Sequence, residues 1–90
     1  MVADFTLSIT NERGLHARAS AKFVEVVEAH DASAQVSRDG MCVSGDSIMG
    51  LLMLAAANGT SISVSTSGPE ADSLATALTT LVSNKFGEGS

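Results

Sequence analysis

His16 and Arg18 stand two residues apart in the stretch GLHARASAKF, residues 14–23, where an alanine-rich run with helical spacing begins. An imidazole can act as a nucleophile or a base, and it is partly neutral near pH 7 from an unperturbed pKa of about 6.5. A guanidinium is a planar fork of donors that matches phosphate oxygens. The first N–H groups of a helix lack intrahelical acceptors, and with the dipole they form a small anion site. His16 falls at or beside the N-cap, so an imidazole, free amides and a permanent cation meet within three residues. That set can hold a phosphoryl group covalently on His16. The same residues can also do no more than cap and decorate the helix.

Other uses of His16 find less support along the chain. The only other histidine, His30, lies 14 positions on. At the far end of the same helix it would be roughly 21 Å away at about 1.5 Å per residue, too far for a paired-histidine or zinc site. Ser20 is one turn in, but no carboxylate is evidently placed to orient the imidazole as in a catalytic triad. The phosphate-binding motif G-x-x-x-x-G-K-[ST] is absent, so the chain is expected to need no nucleotide or other cofactor and to receive and pass on a group. Two other classes remain open: a ligand-sensing α+β domain that tolerates His16→Ala, and a small hydrolase with His16 as general base and a second catalytic group close by.

The elements that must position these residues are legible in the periodicity. DFTLSIT, residues 4–10, alternates with Phe5, Leu7 and Ile9 on one face, a half-buried strand. Gly14 supplies a bend in the loop that follows. From Ala17 the residues Ser20, Phe23, Val24 and Val27 form one helical stripe, which fades near His30 and Asp31. SAQVSRDGMCVS, residues 33–44, reads as a hairpin turning at Asp39-Gly40 in type I′ geometry. Ser47 opens a short helix with a core stripe of Ile48, Leu51, Leu52 and Ala55, stopped by Asn58-Gly59. TSISVST, residues 60–66, is a fourth strand. Pro69 suits the first position of a last helix, with Glu70 and Asp72 at its positive end and Ala71, Leu74, Ala75, Leu78, Leu81 and Val82 on its core side. Lys85 and Gly87 mark its end, and the tail GEGS is expected to fray. The order β-α-β-β-α-β-α predicts an α+β fold, an open-faced sandwich of a four-stranded antiparallel sheet covered on one face by three helices.

Composition narrows the partners. Ninety residues make one domain, residues 1–90, burying roughly 60–65% of the unfolded surface. The net charge of −5 argues against a nucleic-acid backbone, and three Phe with no Tyr or Trp argue against base-stacking platforms. Cys42 is the single cysteine, expected to be a small buried hydrophobe in a reduced compartment and unable to supply a multi-cysteine metal site. The longest apolar stretch, IMGLLMLAAA, is too short to span a bilayer, and a cytoplasmic protein is expected.

Two motifs at their observed separation, NERGLHARASAKF and GDSIMGLLMLAAANGT, together with the later VSTSGPEADSLATAL, resemble the HPr family, the histidine phosphocarriers of the bacterial phosphoenolpyruvate-dependent phosphotransferase system. The resemblance implies the same open-faced sandwich. It implies that His16 takes a phosphoryl group on Nδ1 from enzyme I and hands it to an EIIA-type acceptor, as a carrier rather than a free-standing enzyme. Arg18 then steadies the phosphoryl group and Ala17 offers its backbone amide. Family members usually carry proline where this chain has Ala19, which leaves the first turn more mobile and one N–H free. Ser47 matches a serine that a dedicated kinase phosphorylates in many members; it is also a favoured N-cap residue. Ala21, Ile48, Met49, Leu52 and Met53 form the implied partner surface, where flexible methionines suit two successive partners. Glu25 and Glu28 stand where sugar-transport members often carry lysines, and HARxxxKFVE is similar to the nitrogen-related NPr branch. A carrier that keeps its site open is expected to be a monomer.

Overall fold

The structure is a computed structural model and describes residues 1–89. The chain forms β1 (Val2–Ser8), α1 (Ala17–Glu28), β2 (Ser33–Arg38), β3 (Met41–Ser44), α2 (Ile48–Met53), β4 (Ser61–Ser67) and α3 (Ala71–Ser83), then a 3-10 turn at Lys85–Gly87. This is the expected order, and the four strands form one antiparallel sheet in the order β1-β4-β2-β3. The two-residue periodicity of a strand sends alternate side chains to opposite faces. Leu7, Ala34, Val36, Ile62 and Val64 turn inward and meet Phe23, Val24, Leu51, Leu74 and Leu78 from the helices in a single core. The other face, with Thr6, Gln35, Ser61 and Ser63, is exposed. At the turn of the β2–β3 hairpin both Asp39 (φ 50°) and Gly40 (φ 84°) have positive φ, as a type I′ turn requires.

Several local expectations differ from the structure. The stripe expected for α2 holds only at Leu51; Leu54 joins it in the core, Leu52 is half-buried, and Ile48 is 40% exposed. The six-residue helix ends at Met53, with Leu54 as its C-cap and Ala55 left-handed at φ 52°, well before Asn58-Gly59. The early stop brings Ala56 beside the loop ahead of α1, where its carbonyl accepts the Leu15 N–H at 2.8 Å. The last helix starts at Ala71 with Glu70 as N-cap, leaving Pro69 outside. Residue 70 is tied instead to the α1–β2 connection, its N–H donating to Asp31 O and its carboxylate accepting from Asp31 N.

Cys42 is exposed rather than buried. On strand β3 its neighbour Val43 faces the core, so alternation turns Cys42 to the open face, where its Sγ lies 3.5 Å from Gln35 Oε1. The tail is also held rather than frayed over its described residues. Phe86 is fully buried in the core and anchors the 3-10 turn, while Lys22 Nζ donates to Phe86 O at 2.6 Å. Glu88 is held by contacts described below; Ser90, the last residue of the expected frayed tail, lies outside the described residues.

Gly50 lies inside α2, where glycine costs up to roughly 1 kcal/mol against alanine. A Cβ there would lie 3.0 Å from Val43 Cβ and 3.1 Å from Ser47 Oγ, so the missing side chain lets the helix sit close on β3. Among the described residues, no helix is long and apolar enough to cross a membrane.

Candidate phosphoryl-acceptor site

The site is built on the loop between β1 and α1. Beyond the strand, Ile9 is fully buried; its N–H donates to Thr60 O at 2.8 Å and its carbonyl accepts from Gly59 N at 2.9 Å. Gly14 then takes φ +66°, and a Cβ on it would lie 2.5 Å from Ala56 O and 2.8 Å from Ala57 Cα. The position therefore demands glycine twice, by conformation and by space. The bend delivers His16 to the expected N-cap of α1 in extended conformation, with no side-chain bond to the helix backbone. Its imidazole is thus left for the cavity in front of it.

Ser20 is the first residue of α1 whose N–H reaches an intrahelical acceptor, His16 O at 2.8 Å. Ala17, Arg18 and Ala19 precede it, so their N–H groups belong to the donor-rich end of the helix. Arg18 is exposed and has no ion pair among the described residues. An open cavity of about 500 Å³ is lined by His16 with Arg13, Arg18 and Lys22 as cations, Glu12 and Glu88 as carboxylates, and Gly87. The expected His16–Arg18 pair does meet at one concavity. His30 does not join it; at the other end of α1 its Nδ1 bonds Val26 O at 2.7 Å.

A carboxylate from the far end of the chain also reaches the imidazole. The carboxylate of Glu88 contacts the imidazole of His16 through Oε2 and Nε2, and its Oε1 accepts from Asn11 Nδ2 at 3.0 Å. Asn11 is fully buried and donates through the same nitrogen to Gly14 O at 2.7 Å. The carboxylate sought near the imidazole therefore exists, 72 residues away in sequence. The available signal was Phe86: one of three phenylalanines in the chain, two residues before Glu88, it would carry the tail into the core.

The Glu88 carboxyl is held below the usual carboxylate range, first by the Asn11 hydrogen bond and then by the His16 hydrogen bond and charge, with Arg13 adding to it; partial burial opposes these. A lowered folded value stabilises the folded chain above the ordinary carboxylate range, about pH 4.3 for Glu, and that contribution is lost as pH falls through the lowered value. Thermal unfolding followed against pH should therefore show the wild-type chain losing its advantage over Glu88→Gln below about pH 4.3. A constant difference from pH 3 to 7 would contradict this.

Ser47 is the N-cap of α2, its Oγ accepting from Gly50 N at 3.0 Å, while Ser44 Oγ donates to Asp46 Oδ1 at 2.6 Å. Met49 and Met53 are 70% and 63% exposed, and Ala21 and Leu52 are half-buried. The short helix that carries this apolar surface packs against α1, the helix His16 caps.

Residues 3–84 match the family model described as the PTS HPr component phosphorylation site, PTS being the phosphotransferase system. This chain belongs to the HPr family of phosphocarriers. It is similar to the phosphocarrier protein HPr of Cupriavidus necator, with 43% identity over 82 residues, 91% of this chain and 92% of that one. Phosphocarrier protein NPr of Escherichia coli is 34% identical over 89 residues, covering 98% and 99% of the two chains. The crystal structure of HPr-C-His from Thermoanaerobacter tengcongensis superposes with a TM-score of 0.91 at 34% identity, over 96% of this chain and 97% of that one. The expected family and open-faced sandwich are those found.

Proposed function

We propose that His16 accepts a phosphoryl group on Nδ1 from phospho-enzyme I and passes it to an EIIA-type protein. The observation that carries this reading is the contact between the Glu88 carboxylate and His16 Nε2. A carboxylate only accepts hydrogen bonds, so Nε2 carries the ring proton and Nδ1 of the neutral ring keeps its lone pair. In the transfer step that lone pair bonds to phosphorus while the donor's bond to phosphorus breaks and the donor keeps its electron pair. Arg18 and the amides of Ala17 and its neighbours supply donors to the phosphoryl oxygens. Ala19, unlike proline, keeps its own N–H in that donor-rich turn.

Arg18→Ala should slow phosphoryl acceptance roughly ten- to a hundredfold, the worth of one charge-assisted hydrogen bond at about 1.5–3 kcal/mol. Stopped-time intact-mass measurements with enzyme I and phosphoenolpyruvate check it. Acceptance at the wild-type rate would remove Arg18 from the site.

The acceptor we propose is a regulatory EIIA of the nitrogen type, with Glu25 and Glu28 exposed on α1 to select partners by charge. Sugar-transport HPr is the second reading, favoured by the higher identity to relatives named HPr, 43% against 34% for NPr. Enzyme I of each branch, supplied with phosphoenolpyruvate, decides between them by which charges the chain faster; equal failure of both donors would reject the carrier reading. Ile48, Met49, Leu52 and Met53, with Ala21, form the proposed docking surface. Ser47 is the proposed regulatory site: phosphorylation by an HPr-type serine kinase would add charge beside that apolar surface and weaken docking.

A further inference from the structure

We infer that Asn11 and Glu88 act together as a positioning relay that dictates which nitrogen of His16 is free to take the phosphoryl group; this rests on the carrier reading above. Asn11 is wholly enclosed, and its Nδ2 gives one hydrogen to Gly14 O and one to Glu88 Oε1. Both hydrogens of the amide are thereby used, and the atom at the Oε1 position must be an acceptor. The second oxygen of Glu88 is left facing His16 Nε2. Phe86 in the core and the Lys22–Phe86 carbonyl bond hold the turn that presents Glu88. The order of donors is therefore fixed from the buried end outward: Asn11 donates to Glu88, and His16 Nε2 donates to Glu88. A carboxylate is the side chain here that accepts at both ends.

The relay also serves the chemistry. When Nδ1 bonds to phosphorus, the ring keeps its Nε2 proton and gains positive charge. The Glu88 carboxylate faces that charge. On onward transfer a nucleophile of the EIIA-type acceptor bonds to phosphorus as the bond from Nδ1 breaks; the electron pair of that bond returns to Nδ1, and a neutral ring leaves. Arg13, Arg18 and Lys22 are the cations of the same cavity, and Glu12 is its other carboxylate.

The relay makes a prediction that a merely structural role for Glu88 does not. In Glu88→Gln the oxygen of the new amide must meet Asn11 Nδ2, which turns its NH₂ towards His16. Nε2 then has to accept, and the ring proton moves to Nδ1. In Glu88→Ala neither end is constrained and the ring has both tautomers open to it. The more conservative replacement is thus the more damaging. Phosphoryl acceptance should fall roughly ten- to a hundredfold in Glu88→Gln, the population cost of opposing one good hydrogen bond, and by less in Glu88→Ala.

The test has two arms. Nitrogen-15 NMR of the uncharged chain, at a pH where the ring is neutral, reads the tautomer of His16 directly: Nε2–H in the wild type, predominantly Nδ1–H in Glu88→Gln, and a mixture in Glu88→Ala. Rates of acceptance from enzyme I and phosphoenolpyruvate form the second arm. An unchanged tautomer in Glu88→Gln, or greater loss of rate in Glu88→Ala, would overturn the relay. Failure of the wild-type chain to accept any phosphoryl group would instead reject the carrier reading, while the tautomer arm still decides the relay.

Discussion

His16→Ala is expected to accept no phosphoryl group from phospho-enzyme I at any time or concentration tried, while keeping its fold. The loss should be complete because the bond to phosphorus is made by the ring itself; Arg18 and the helix amides can bind a phosphoryl group but have no lone pair for it. The fold should survive because the imidazole lies at a cavity rather than in the core, and the cap carbonyl that bonds Ser20 N belongs to the backbone. One cost is foreseen, the loss of a partner for Glu88. Intact-mass spectrometry and circular dichroism of the same sample check both halves. Persistent single phosphorylation of a folded His16→Ala chain would place the acceptor elsewhere.

The second large effect is on folding. Gly14→Ala should destabilise the chain by roughly 2–5 kcal/mol. A left-handed conformation costs an alanine about 1–2 kcal/mol, and overpacking adds about 1–3. The clash is with backbone, since the nearest atoms are Ala56 O at 2.5 Å and Ala57 Cα at 2.8 Å, and neither can turn aside as a side-chain tip could. Relief would come by opening the contact between the loop before α1 and the segment after α2. The Leu15–Ala56 hydrogen bond would weaken with it, and His16 would lose its seat. For a domain with about 5–15 kcal/mol in total, the shift should be plain in a urea titration. A change under about 0.5 kcal/mol, the usual range for a surface substitution, would show that the loop yields easily.

What was legible in the sequence follows from how local each signal is. The strict alternation at Phe5, Leu7 and Ile9 and the stripe at Ser20, Phe23, Val24 and Val27 lie within single elements, and those residues face the core or its edge as expected. The type I′ turn at Asp39-Gly40 is decided by two residues. His16 and Arg18 are close in the chain, so their meeting at a helix mouth needed only the helix. Three departures fall where distant contacts overrode local preference. Pro69 is a good first helical residue, yet Glu70 is tied to Asp31, and the helix waits until Ala71. Asn58-Gly59 is a good stop, yet α2 ends earlier because Ala56 is engaged by Leu15. Glu88 sits between two glycines, a composition that reads as a loose end, and nothing near it in sequence announces Asn11 and His16.

The most direct test of the account is the position of the phosphoryl group on the charged chain. A nitrogen-15-labelled sample, phosphorylated by enzyme I and phosphoenolpyruvate, can be read by phosphorus–nitrogen correlation NMR. One phosphorus bonded to Nδ1 of His16, with a proton retained on Nε2, is the predicted result. Phosphorus on Nε2 of His16 would contradict the donor order set by Asn11 and Glu88, and phosphorus on any other residue would contradict the site itself.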